Sequence, residues 1–117
     1  MSITLPTVVD KFVTAVNAGD LDALAALFAD DAYFTAQSEA RGIDAIRVAL
    51  AREFINDHVT VEALDVTDHH GDFIVRTKFQ GDYDKTNLPD PLIMTNYIAP
   101  RDGKIITLGV FFVPPAA

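Results

Sequence analysis

The chain has 117 residues, half of them hydrophobic, with no cysteine and a formal net charge of −8. This length builds one hydrophobic core and one domain, residues 1–117, with no disulfide, thiolate nucleophile or thiolate-bound metal to assist it. Its four Lys and five Arg are dispersed, which excludes the basic patch that phosphate recognition needs, so neither nucleic acid nor an anionic membrane is an expected partner.

The segment from Met1 to Asp10 carries no basic region, long apolar run or small-residue cleavage site, so a cytoplasmic chain is expected. Leu5, Val8, Val9, Phe12, Val13 and Val16 recur at helical spacing between Pro6 and Gly19, which predicts an amphipathic helix with start and stop signals. Asp20 is placed to cap a second, shorter helix that carries Leu21, Leu24, Ala25, Leu27 and Phe28 and is closed by Asp30 and Asp31. Tyr33 to Gln37 reads as a short strand, and Ile43, Ile46, Leu50 and Phe54 define a third helix opened near Gly42 and Asp44.

The second half changes period. Val59, Val61, Leu64 and Val66 alternate with a break near Ala63 that suits a β-bulge, and His69-His70-Gly71-Asp72 marks a turn. Phe73, Val75, Thr77 and Phe79 then share one strand face, with Ile74, Arg76, Lys78 and Gln80 on the other. A polar hairpin tip, Asp82 to Pro91, leads into a strand over Leu92 to Ala99. Asp102-Gly103 turns the chain into a last strand, Lys104 to Val113. Helices followed by an antiparallel meander make an α+β fold.

Three stretches carry a resemblance: Val8-Val9-Asp10-Lys11-Phe12-Val13, Asn17-Ala18-Gly19-Asp20-Leu21-Asp22, and Ala26-Leu27-Phe28-Ala29-Asp30-Asp31-Ala32. They resemble the N-terminal half of the bacterial ketosteroid isomerases and, more broadly, SnoaL-like members of the nuclear-transport-factor-2-like superfamily. The likeness continues through Arg41-Gly42 and Ala45-Ile46-Arg47 and resumes at Asp102-Gly103-Lys104-Ile105-Ile106. It implies a cone-shaped curved antiparallel sheet packed against three N-terminal helices, open at one end on an apolar pocket, and dimerising through the outer sheet face. Such folds host many activities. The isomerases use a carboxylate base and an oxyanion hole that pairs a Tyr with a protonated Asp. The matching positions here are Ala36 for the base, Phe12 for the Tyr, Thr95 for the Asp and Leu50 for a supporting Tyr, so steroid isomerase chemistry is not expected. A one-residue slip across the long hairpin would turn Asn96 inward in place of Thr95.

Strand parity within such a cone gives the expected pocket wall: Phe12, Phe34, Ala36, Leu50, Phe73, Val75, Thr77, Phe79, Thr95, Tyr97, Leu108, Val110 and Phe112, with Ile93 beside Thr95. Thr77, Thr95 and Tyr97 are the polar candidates for orienting or acting on a ligand. A closed core with its hydroxyls bonded to backbone carbonyls leaves the same sequence trace. The expected ligand is a small hydrophobic molecule of steroid, polyketide or terpenoid type, handled without cofactor by isomerisation, dehydration or cyclisation. The alternative is a non-catalytic dimeric binding or association domain, with Ile106, Phe111 and Val113 on the outer face. His58, His69 and His70 lack the spacing of a metal site, so no metal is expected. Asp30 and Asp31 read as capping residues, and Asp84 and Asp90 as a solvated hairpin tip near the mouth of the cone.

Overall fold

In the computed structural model, which describes residues 4–113, helix α1 runs over Thr7–Ala18 and buries Val9, Phe12, Ala15 and Val16. The Asn17-Ala18-Gly19-Asp20 run has a physical reading here. Gly19 sits at φ 64°, a left-handed C-cap that glycine adopts without Cβ strain, and its N–H bonds the carbonyl of Val16. Asp20 is the N-cap of α2 (Leu21–Ala25), its carboxylate accepting from the Ala23 N–H at 3.0 Å.

The chain then enters β1 (Phe28–Thr35) and turns into a short antiparallel partner, β2 (Glu39–Arg41). Two expectations change at this point. The second helix stops before Phe28, and Asp30 and Asp31 are exposed strand residues instead of helix closers. They occupy an irregularity in which β1 carries three more residues than its neighbour, with Phe28 and Tyr33 both in register. Two adjacent charges would otherwise place one inward; the extra length lets both reach solvent.

Helix α3 (Ile43–Leu50) continues as a single π-helical turn over Ala51–Ile55, which buries Phe54. Four strands complete the fold: β3 (Thr60–His69), β4 (Asp72–Gln80), β5 (Leu92–Arg101) and β6 (Lys104–Phe111). The sheet order is β2-β1-β6-β5-β4-β3. All its pairings are antiparallel except β1 with β6, so the sheet is mixed. The break near Ala63 is a bulge, with Leu64 the extra residue between the Ala63–Thr77 and Asp65–Arg76 pairs.

The core lies between the helices and the inner sheet face. Phe12 meets Phe54 edge-on with centroids 5.8 Å apart, and Phe54 meets Phe79 at 6.0 Å. Among the described residues no helix is long and apolar enough to cross a membrane.

Candidate functional site

At one end of the sheet the core opens into a cleft of about 780 Å³. Its apolar wall comes from the inner faces of three strands and the π-helical turn: Phe54, Phe79, Leu92, Met94 and Val110, joined by Val59. The β1–β2 turn adds Ala36, Gln37 and Ser38, the β4–β5 hairpin adds Tyr83, Asp84 and Leu88, and the last strand ends at the rim with Phe111 and Phe112. The tip expected near the mouth of the cone therefore does border it.

The rim is polar and mostly acidic, with Arg52, Glu53, Asp57 and Asp84 among its residues. Arg52 donates to the Ser38 hydroxyl at 2.7 Å and lies 3.7 Å from the Glu53 carboxylate, whose side chain is only 20% exposed. The Tyr83 hydroxyl donates to the Phe79 carbonyl at 3.2 Å, and burial, with the nearby Asp90 carboxylate, raises its pKa. Asp84 accepts from the Thr86 N–H at 2.9 Å; that bond and one from the Thr86 side chain hold its carboxyl below the ordinary carboxylate value. His58 pairs with Asp82 at 2.9 Å, and the Asp82 N–H bonds the Asp57 carbonyl at 2.7 Å, joining the hairpin to the end of the helical segment.

The expected wall residues divide into three groups. Ala36, Phe79, Val110 and Phe112 do border the cleft. Phe12, Phe34, Leu50, Val75, Thr77 and Leu108 are buried in the packed interior beneath it, and Phe73 is half-buried on the same inner face. Thr95 and Tyr97 are on the other side of the sheet, together with Ile93. Thr95 stands opposite Arg76 and Phe111, whereas Asn96 pairs with the buried Val75 and Val110. The inward set of β5 is thus Leu92, Met94, Asn96 and Ile98, one residue out of step with the expected parity. In a period-two strand that step reverses every side chain. Tyr97 is bonded outside the cone to the Asp72 carboxylate at 2.5 Å, which raises the phenol pKa.

Asn96 is wholly buried. Its amide donates to the Val75 carbonyl at 3.1 Å and to the Thr77 hydroxyl at 2.8 Å, while its Oδ1 has no partner among the described residues. Leaving such an acceptor unpaired costs about 1–3 kcal/mol.

Two residues of interest escape sequence patterning. Glu53 precedes core-facing Phe54 and reads as a solvated helix position; the wider π turn brings both to the cleft, a device often found at functional sites. Asn96 was reachable only through the hairpin register. Among the described residues no group of three or more His, Asp or Glu is gathered to hold a metal ion, and the rings of His69, at the end of β3, and His70, in the turn after it, meet edge-on with centroids 4.7 Å apart.

Residues 9–108 match the model of the SnoaL-like domain. A provisionally assigned polyketide cyclase from Sinorhizobium meliloti is 27% identical and superposes with a TM-score of 0.75, over 91% of this chain and 94% of that one. A hypothetical protein of ketosteroid isomerase-like fold from Catenulispora acidiphila, solved with trimethylamine, is 20% identical with a TM-score of 0.76, over 93% and 87%. An uncharacterised cystatin-fold protein from Novosphingobium aromaticivorans is 17% identical with a TM-score of 0.72, over 89% and 94%. The last two likenesses concern the fold alone. No curated protein sequence matches the chain.

Proposed function

The chain belongs to the SnoaL-like domain family, and from that premise we propose that it binds a small, mainly apolar molecule of steroid, polyketide or terpenoid character in the cleft between the π-helical turn and the β4–β5 hairpin. The observation that carries this reading is the cleft itself: about 780 Å³, walled by Phe54, Phe79, Met94 and Val110, with a few polar side chains such as Arg52, Glu53 and Asp84 on its lining. Small-molecule sites have this volume and this division between apolar wall and a few placed polar groups. The polyketide cyclase assignment of the Sinorhizobium meliloti protein supports the same ligand class.

Glu53 is the group equipped for cofactor-free proton transfer, whether isomerisation, dehydration or cyclisation, because it borders the cleft half-buried beside the Arg52 guanidinium. Ketosteroid isomerisation is not the proposed reaction. Ala36 offers no base, Phe12 and Leu50 are buried hydrocarbon, and Thr95 lies outside the cone. A positioned base contributes about 10²- to 10⁴-fold and one oxyanion donor about 10²- to 10³-fold, which sets the scale of the missing acceleration.

The deciding experiment is native purification followed by mass spectrometry of whatever copurifies. An apolar small molecule should be retained by the wild type and lost from Ala36→Phe, which fills the cleft wall. Retention by Ala36→Phe equal to that of the wild type would refute the cleft as the site, and brisk turnover of a β,γ-unsaturated ketosteroid would refute the exclusion of that reaction.

A second feature favours self-association as an additional or non-catalytic role. Phe111 and Val113 are 43% and 59% exposed, and Phe111 turns back across Gly109, where an added Cβ would lie 2.9 Å from its ring. We propose a homodimer through this outer face, in a cytoplasmic protein.

A further inference from the structure

The unpaired acceptor inside the cone bears on what kind of molecule the cleft selects. Asn96 lies on the inner face of β5, two residues along the strand from Met94 and directly across from Val110, and both of those neighbours border the cleft. Its two amide hydrogens are already committed, to the Val75 carbonyl and the Thr77 hydroxyl, so only Oδ1 remains available. A buried acceptor without a partner is uncommon enough to require a reason. Met94, the next inward residue of β5, is part of the cleft wall, and its unbranched, flexible side chain can be rearranged at little cost.

We infer that Asn96 Oδ1, on the inner face of β5 next to the cleft wall, is a selectivity element, accepting a hydrogen bond from the hydroxyl or N–H group of a ligand that displaces the Met94 side chain. This rests on the cleft being a binding site, and it narrows the ligand class: an apolar alcohol or amine is favoured over the corresponding ketone. A ketone would bring its carbonyl oxygen against another acceptor. The committed amide hydrogens also make the site the reverse of an oxyanion hole, which presents donors.

Menthol and menthone form a matched terpenoid pair, the same carbon skeleton ending in a donor or in a carbonyl. Titrated into isotope-labelled protein and followed by nuclear magnetic resonance, menthol should bind about tenfold more tightly than menthone, the fold-change expected of one net hydrogen bond. The Asn96 side-chain amide signals should move with menthol. In Asn96→Leu the preference should fall to about one while menthone binding persists. Equal affinities for the wild type, or a menthol preference that survives in Asn96→Leu, would overturn the inference and leave the cleft reading standing. If neither molecule shifts Met94 or Val110, the cleft reading fails and takes the inference with it. Should Asn96→Leu not fold, the wild-type affinity ratio and the Asn96 amide response decide the matter alone.

Discussion

Asn17 stands in for a strand. Its Oδ1 accepts from the Val61 N–H at 2.7 Å and its Nδ2 donates to the Val61 carbonyl at 3.0 Å, so the last turn of α1 satisfies one residue of edge strand β3. Edge strands carry unpaired backbone groups, and covering them with a helix is one way to keep them from pairing elsewhere. Asn17→Ala would leave both Val61 groups without their partner beside a buried side chain. It should lower stability by about 1–2 kcal/mol, read from urea unfolding as a reduced midpoint with an unchanged slope. A change below about 0.5 kcal/mol, the usual scatter of surface substitutions, would show that the bridge contributes nothing. The resemblance that the Asn17-Ala18-Gly19-Asp20 run carries therefore rests on architecture: an edge cover, a left-handed cap and a helix N-cap in succession.

Whole elements were legible where their period was unambiguous. The valines and Phe12 of α1, the alternation of β4 and the bulge after Ala63 follow from spacing alone. β2 was not legible, because Glu39-Ala40-Arg41 has no alternation and becomes a strand only by pairing with β1. The start of β1 was hidden for the opposite reason, since Leu27, in the turn, and Phe28, the first residue of β1, continue the apolar face of α2. The wall of β5 was misassigned through the hairpin before it: Asn96, not Thr95, faces inward, and nothing within Leu92 to Ala99 distinguishes the two parities without its partners' register. That hairpin has its own electrostatic signature. The Asp84 carboxylate accepts the Thr86 N–H, and its lowered pKa means that the folded state holds the charged form more tightly than the unfolded chain does. The sign follows: the contribution is fully present above the unfolded value of about 3.9 and is lost as pH falls through the lower folded value. Carbon-detected titration should find the Asp84 carboxyl below that ordinary value with the Thr86 amide shift tracking it, and Asp84→Ala should remove the Thr86 transition. Titration of Asp84 at the ordinary value would show that the bond does not form in solution.

At the scale of the whole molecule, the two faces of the sheet divide the work. The inner face is consumed by the core and the cleft, while the outer face sets Arg76, Thr95 and Phe111 in one cross-strand row and Ile74, Tyr97 and Gly109 in the next. This outer surface mixes half-buried hydrocarbon with polar side chains already engaged nearby, as Arg76 is with Asp65 and Tyr97 with Asp72. Pairing these groups locally reduces the cost of covering them with a second copy, because fewer polar atoms are left to desolvate unpaired. A stable interface needs about 800 Å² from each partner, roughly a tenth of the 6968 Å² that the chain exposes. The net charge of −8 opposes association of like molecules, so the dimer should tighten as salt screens that repulsion. Sedimentation equilibrium at micromolar concentration should therefore give a dimer, more complete at higher ionic strength. Phe111→Arg places an unpaired charge where the ring now covers Gly109 and should return the protein to monomer with its far-ultraviolet circular dichroism intact. A wild-type monomer at both ionic strengths would refute the outer-face dimer, and a dimer indifferent to Phe111→Arg would move the interface elsewhere on the molecule.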